Sequence, residues 1–204
     1  MVSLPFPAVR SSIHSLRSAT LFAAAALAAG ACPSAAFAGL AGSFARADYY
    51  FNGGLYQGNF ASGTVEAFGS TLGTFVDGTT SLFRISANDS QVIIDFSPAP
   101  PEPRTWTPSV ASLNSNGLYV DNGFAMYFFG APEITGVSVN AATNMVGFSS
   151  SNLTFNSGAI AIAWAGLPFD PSTVVVLDVA TVPAPGAIAL LSIAGAAGQR
   201  RRRR

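Results

Sequence analysis

Histidine, cysteine and lysine are all absent between residues 39 and 180. The single histidine, His14, and the single cysteine, Cys32, lie nearer the N-terminus, and all ten basic residues of the chain are arginines. Without histidine or cysteine, this segment excludes Ser-His-Asp and Cys-His catalysis, and it excludes the common His- and Cys-liganded zinc sites. It contains no phosphate-binding glycine loop and no dinucleotide fingerprint, so glycine-rich pieces are better interpreted as turns.

Carboxylate chemistry survives this elimination. A glycan hydrolase requires two of them at a defined separation. The candidates are scattered along the sequence, so a non-enzymatic protein without a cofactor is favoured; they are Glu66, Asp95, Glu102, Glu133 and Asp178. Calcium could use oxygen ligands from Asp77 or Asp121–Asn122. No Asp-x-Asp-x-Asp-Gly string is present, and turns are the better interpretation of these residues.

The formal net charge of zero conceals a strongly acidic central segment. Seven of the ten arginines lie near the two ends, which leaves Arg46, Arg84 and Arg104 against ten acids, a net charge of 3 − 10 = −7. Nucleic-acid binding requires clustered cations that neutralise phosphates. The composition therefore excludes nucleic acid as a partner and disfavours charge-driven binding to anionic lipid or polysaccharide.

The apolar pattern of residues 39–180 is that of β-strands. Alternation occurs at Val92, Ile94 and Phe96 and around Ile160–Trp164, whereas Phe124–Phe129 and Val174–Leu177 are continuous runs typical of central buried strands. Residues 82–86 and 91–96 form a candidate hairpin. Turn sequences recur between the runs, at Asn52-Gly53-Gly54, Asp77-Gly78, Asn116-Gly117, Asp121-Asn122-Gly123 and Asn156-Ser157-Gly158.

This pattern predicts an all-β, antiparallel β-sandwich or jelly-roll-like domain, because short strands alternate with turns and no βαβ order is seen. The proline-rich segment Ser97–Pro108 is expected to be an extended loop. Trp164 is expected in the core.

The N-terminal segment, residues 1–38, has the features of a secretory signal peptide. Arg10 and Arg17 supply a positive region, Leu21–Ala31 is apolar, and Ala36-Phe37-Ala38 matches a cleavage site that places the mature start at Gly39. Lipidation at Cys32 is an alternative, but the residues before it match a lipobox poorly. Signal peptidase and the secretion machinery are the implied partners.

The C-terminal segment, residues 181–204, has three parts in a defined order. Val182, Pro183, Ala184 and Pro185 form a turn that cannot continue a strand. The apolar run Gly186–Gln199 would span about 21 Å as a helix, short of a membrane core of about 30 Å, so it could cross only with thinning or snorkelling. It is followed by Arg200, Arg201, Arg202, Arg203 and Arg204, which favour a cytoplasmic C-terminus. The alternative is an ordinary core helix with a basic tail.

These three parts together resemble the PEP-CTERM sorting signal of Gram-negative bacteria, in a VPAP-type variant. The departure is Ala184, where the namesake motif has Glu. The resemblance implies export, transient anchoring in the inner membrane, processing near Pro183–Pro185 by an exosortase, and a final location at the cell surface or outside the cell. It also implies an association with exopolysaccharide. The central domain resembles no family.

One residue of the central segment is a candidate glycan contact. Trp106 lies in the proline-rich segment, where an exposed indole could stack on a sugar ring, although a tryptophan that pins the loop to the core is the alternative. Tyr49, Tyr50 and Tyr56 could form an exposed patch or lie half-buried in strands. Three hypotheses follow: a structural or adhesive surface protein, a carbohydrate-binding module, and a carboxylate-dependent glycan hydrolase.

Overall fold

The computed structural model describes residues 39–114 and 116–182. Nearly all of the regular structure in this part of the chain is β, with one short 3-10 turn at Ser150–Asn152. The strands are β1 (Phe44–Phe51), β2 (Gly54–Thr64), β3 (Ser70–Asp77), β4 (Thr80–Ala87), β5 (Gln91–Asp95), β6 (Arg104–Thr105), β7 (Ser112–Leu113), β8 (Tyr119–Val120), β9 (Gly123–Phe129), β10 (Ile134–Val139), β11 (Leu153–Asn156), β12 (Ala159–Ala163), β13 (Pro168–Phe169) and β14 (Val174–Thr181).

Two five-stranded antiparallel sheets form the body of the domain. The first sheet has the order β11-β12-β9-β1-β2, and the second has the order β10-β14-β5-β4-β3. Two small antiparallel ribbons, β13-β6 and β7-β8, accompany them. The prediction of an all-β antiparallel sandwich is confirmed. The predicted hairpin is also present as β4 and β5, with Ala87 opposite Val92.

The turn sequences recognised in the chain lie where strands reverse or end. Asn52 and Gly53, with φ of 50° and 82°, connect β1 to β2, and Gly78, with φ of 61°, connects β3 to β4. Positive φ at these positions matches the twist of a two-residue hairpin, which is why Asn and Gly occupy them. Asn122, with φ of 36°, makes the corresponding left-handed step before β9.

The two sheets face each other across an aromatic core. Phe83 of the second sheet stacks on Phe124 of the first, with ring centroids 5.8 Å apart. Trp164 is fully buried and meets Phe83 edge-on at 5.1 Å, as expected for a core tryptophan. Burial of each such ring stabilises the fold by roughly 1.5–3 kcal/mol, so this cluster holds the sheets together.

Strand β9 is buried on both faces, which explains its continuous apolar sequence. Phe124, Met126 and Phe128 pack into the main core. Ala125 and Tyr127 point to the other side of the sheet, where the β7–β8 ribbon covers them in a second cluster with Leu118, Val120, Ala159 and Ala161. A strand with one solvated face would instead alternate apolar and polar residues.

Both ends of the described domain emerge at one end of the sandwich, which we call the terminal pole. Leu40 is fully buried and donates its N–H to the Asp89 carbonyl in the β4–β5 turn at 2.7 Å. Strand β14 runs toward the same turn, where the Val179 N–H donates to the backbone carbonyl of Ser90 at 2.8 Å. Strand β14 ends at Thr181, and the N–H of the next residue, Val182, donates to the Glu133 carbonyl.

The predicted signal peptide and most of the predicted sorting signal lie outside the described residues. Within residues 39–114 and 116–182, no helix is both long and apolar enough to cross a membrane.

Candidate functional site

A pocket of about 230 Å³ opens at the end of the sandwich opposite the terminal pole. This end, the pocket pole, carries the β1–β2 and β3–β4 turns. Strand β1 has eight residues and connects the two poles over roughly 25 Å. The pocket has an aromatic wall and a polar rim; its lining residues are Tyr49, Phe51, Tyr56, Phe75, Asp77, Leu82, Arg104, Thr105, Trp106, Thr107, Asn122 and Phe169.

Trp106 is one of the buried residues of the aromatic wall. Its indole stacks between Trp164, with centroids 5.1 Å apart and planes 11° apart, and Phe169, at 4.6 Å and 24°. Both backbone groups of Trp106 are hydrogen-bonded: its N–H donates to the Leu167 carbonyl, and its carbonyl accepts from the Gly166 N–H. Trp106 therefore pins the proline-rich segment to the core. It is only 7% exposed, so it is not a free-standing platform.

The segment around Trp106 is not the continuous loop that its sequence suggests. Residues Arg104–Thr105 form strand β6, which pairs with Pro168–Phe169 of β13. This short ribbon brings Arg104 to the pocket rim and Phe169 to its wall. The prediction of a fully irregular Ser97–Pro108 was wrong at these two residues, because pairing with a distant ribbon overrides the local preference of a proline-rich chain.

A buried hydrogen-bond network lies beneath the pocket. The Trp164 indole N–H donates to the Tyr49 hydroxyl at 3.1 Å, and that hydroxyl donates to the Asn122 Oδ1 at 2.8 Å. The Asn122 amide nitrogen then donates to the Thr107 carbonyl at 2.6 Å. Burial raises the pKa of Tyr49 far above its ordinary value, so the hydroxyl stays neutral. The network joins β1, the β8–β9 turn and the proline-rich segment into one rigid floor.

The rim of the pocket is polar and exposed. The Tyr56 hydroxyl donates to Asp77 Oδ1 at 2.7 Å, which ties the β1–β2 hairpin to the β3–β4 turn. This hydrogen bond raises the pKa of Tyr56. Arg104 lies on the same rim, and within the described chain it makes no ion pair. One negative and one positive side chain therefore flank the opening.

One buried donor at this site has no partner. The indole Nε1–H of Trp106 is shielded from solvent and makes no hydrogen bond with any described residue. Most buried N–H groups in native proteins are hydrogen-bonded, and an unpaired one costs about 1–3 kcal/mol. Trp164, stacked directly on Trp106, has its own N–H satisfied by Tyr49.

The three tyrosines singled out in the sequence do not form one patch. Tyr49 is buried under the pocket and Tyr56 is exposed on its rim. Tyr50 lies on the other face of the first sheet, where its hydroxyl is 2.9 Å from that of Tyr127. Only Tyr49 and Tyr56 belong to the candidate site.

The candidate carboxylates do not gather into an acid–base pair. Asp178 accepts hydrogen bonds from Gln91 and Asn140, and Asp95 lies 3.9 Å from Arg84. Asp178 is opposite Gln91 and Asp95 is opposite Val174, so the two carboxylates are four register positions apart, roughly 13 Å along the strands. Glu66, Glu102 and Glu133 are exposed outside the strands.

The residues considered for calcium are engaged as turn residues. Asp77 accepts from Tyr56, and the side-chain oxygen of Asn122 accepts from Tyr49. No group of three or more His, Cys, Asp or Glu side chains comes together in the described part of the chain. Burial raises the pKa of Asp121.

Sequence reasoning found Trp106 but missed most of its neighbours at the pocket. Arg104, Thr105 and Thr107 flank it in the chain, and this polar run within a proline-rich segment was the available signal. Phe169 and Asn122 reach the site only through strand pairing, and nothing local indicated it. Of the predicted processing residues, Gly39 and Val182 lie in the described domain, whereas Ala36, Ala38, Pro183, Ala184, Pro185 and Arg200–Arg204 lie outside it.

The chain matches no protein-family model, no curated protein and no solved structure.

Proposed function

We propose that this protein is an exported, non-enzymatic cell-surface domain with a structural or adhesive role. The signal peptide is removed before Gly39. The C-terminal segment then holds the protein in the inner membrane of a Gram-negative-type envelope until an exosortase cleaves near Pro183–Pro185. The mature domain functions at the cell surface or in the extracellular matrix alongside exopolysaccharide.

The position of the two ends of the described domain is the observation that carries this proposal. Leu40 and Val182 are both hydrogen-bonded at the terminal pole, and the pocket opens at the other pole. A tether attached after Val182 would therefore hold the domain by one end and present the opposite end outward. This arrangement suits a display domain whose anchor is cut without disturbing the fold.

The fit of the fold to the predicted signal-peptide site is a second support. Gly39 packs so closely on Asp89 that an added Cβ would overlap that side chain. Leu40, the next residue, is already in the core. A cut before Gly39 would leave the folded domain intact and would leave no unused residues at its start.

The non-enzymatic part of the proposal rests on the arrangement of the carboxylates. Glycosidases hold two carboxyl groups about 5–9.5 Å apart. The separation of roughly 13 Å between Asp95 and Asp178 along the strands exceeds this range. Both also have hydrogen-bond or ionic partners that suit a structural role.

Intact mass of the protein from the envelope and medium of its native host tests the sorting pathway. A species that starts at Gly39 and ends near Pro183–Pro185 is expected, with or without an adduct. A species that retains Arg200–Arg204 would contradict cleavage and would make the tail a permanent anchor.

Two tail variants test the role of the arginines. Replacing Arg200–Arg204 with five serines should release unprocessed protein to the periplasm, because the positive-inside effect is lost. Replacement with five lysines keeps the charge and serves as the matched control. Unchanged localisation and processing of the serine variant would overturn the sorting argument.

A further inference from the structure

We propose that the pocket at the pocket pole is a binding site for a single neutral sugar ring. Nothing in the sorting pathway requires such a site, so this inference stands or falls separately from the proposed function. Its basis is the combination of a preformed pocket, an aromatic wall and a polar rim.

The size of the pocket limits the ligand. Its volume of about 230 Å³ lies below the range of about 300–1,000 Å³ that is usual for drug-sized ligands. One six-membered ring with its hydroxyls suits this space, whereas a nucleotide or a peptide segment does not. The rigid floor formed by Tyr49, Asn122 and Trp164 keeps the pocket preformed.

The lining matches the two kinds of surface on a sugar ring. The apolar C–H groups of a pyranose pack on aromatic rings, and the half-buried Phe51 and exposed Tyr56 supply accessible ring surface here. Behind them the wall is formed by the buried rings of Tyr49, Phe75, Trp106 and Phe169. The hydroxyls of a pyranose need donors and acceptors at its edge. Asp77, Thr105 and the Tyr56 hydroxyl supply these groups at the rim.

The charges favour a neutral ligand. Asp77 and Arg104 flank the opening with opposite signs, so the rim attracts neither anions nor cations strongly. The surrounding acidic domain, with three arginines against ten acids, repels anionic sugars at longer range. A free monosaccharide and the end of a neutral polysaccharide chain present the same ring. Comparing methyl glycosides with neutral oligosaccharides distinguishes these two ligands.

The two tryptophans of the chain provide the assay. The full chain, labelled with 15N and purified in detergent micelles, has indole N–H signals from Trp106 and Trp164 only, assigned with Trp106→Phe and Trp164→Phe. Titration with the methyl glycosides of glucose, galactose, mannose and N-acetylglucosamine should move the Trp106 signal saturably with at least one sugar. The Trp164 signal should move less, because the Trp164 indole N–H is buried and already donates to the Tyr49 hydroxyl.

Affinity is expected in the roughly millimolar range, as suits a ligand of this size. Tyr56→Phe should weaken binding about two- to tenfold, because it removes one rim hydroxyl. Tyr119→Phe, at an exposed tyrosine outside the pocket, is the matched control and should leave the dissociation constant unchanged. Trp106→Phe keeps an aromatic ring and should weaken binding while the Trp164 signal shows that the fold is intact.

Several results would overturn the proposal. One is the absence of a saturable Trp106 shift with every methyl glycoside tested. A glucuronate titration that binds more tightly than methyl glucoside would refute the preference for a neutral ring, and glycerol binding equally well would refute recognition of a ring. Neutral oligosaccharides that bind as well as the methyl glycosides identify a chain end as the ligand; failure of the oligosaccharides alone identifies a free sugar.

Discussion

Removal of one buried hydroxyl, in Tyr49→Phe, should destabilise the domain substantially. The aromatic ring would remain stacked on Phe75, whose centroid is 4.0 Å away, so packing is preserved and the hydroxyl alone is tested. Two buried groups would lose their partner: the indole N–H of Trp164 and the side-chain oxygen of Asn122. Trp164 is fully buried and Asn122 is 4% exposed, so water cannot readily replace the hydroxyl.

Each of the two buried groups left unpaired costs about 1–3 kcal/mol, which predicts a total loss of roughly 2–6 kcal/mol in the free energy of unfolding. The total stability of a domain is about 5–15 kcal/mol, so this is a large fraction. With about 2–4 °C of melting temperature per kcal/mol for a chain of this size class, the melting temperature should fall by roughly 10 °C.

Urea unfolding followed by tryptophan fluorescence and circular dichroism measures this loss. Tyr119→Phe is the control, because that hydroxyl lies on an exposed side chain and its removal should cost under about 0.5 kcal/mol. Combining Tyr49→Phe with Trp164→Phe should cost less than the sum of the two single changes, because they share one hydrogen bond. Stability of Tyr49→Phe equal to that of the control would refute the network as a structural floor.

Three further changes test other parts of the fold. Gly123→Ala would force a Cβ into the backbone carbonyl of Ile162, so it should cost at least about 1–3 kcal/mol in unfolding free energy, whereas Gly158→Ala has open space and should be near neutral. Hydrogen bonds from Ser172 lower the pKa of Asp170, so its ionised form stabilises the fold above the ordinary carboxyl pKa and this contribution is lost as pH falls through the lowered value. Asp170→Asn should therefore lower the melting temperature at pH 7 and change it little near pH 2; an equal effect at both pH values would contradict this. Burial raises the pKa of Asp121, so the favourable contribution of its protonated form is lost as pH rises through that value, and Asp121→Asn should raise the melting temperature at pH 7 but not near pH 3.

Local sequence was sufficient to predict the fold class and many of its boundaries. Four of the five turn sequences contain an Asn or Gly with positive φ, and tolerance of that conformation is a property of the single residue. The run Phe124–Phe129 was predicted to be a buried strand because its apolar residues are continuous and do not alternate with polar ones. In the structure the β7–β8 ribbon covers the second face of this strand.

The candidate site could be predicted only in part. Trp106 was recognisable as an aromatic residue in an unusual segment, and the structure supports the second of its two alternatives: the indole is buried and pins the segment to the core, beside a pocket that it helps to line. Its burial could not be read from the chain. It depends on pairing of Arg104–Thr105 with Pro168–Phe169, more than sixty residues away in sequence.

The sequence by itself determined four features: the acidic composition of residues 39–180, the lack of histidine and cysteine there, the strand-and-turn pattern, and the succession of sequence motifs in the two terminal segments. These follow from residue identity and short-range spacing. The tertiary structure alone decided that Tyr49, Asn122 and Trp164 meet under one pocket, that Trp106 has an unpaired donor beside it, and that both ends of the described domain lie at the other pole. The physical reason is that these relations depend on the register and order of distant strands, which are set by packing of the whole core and not by any local preference.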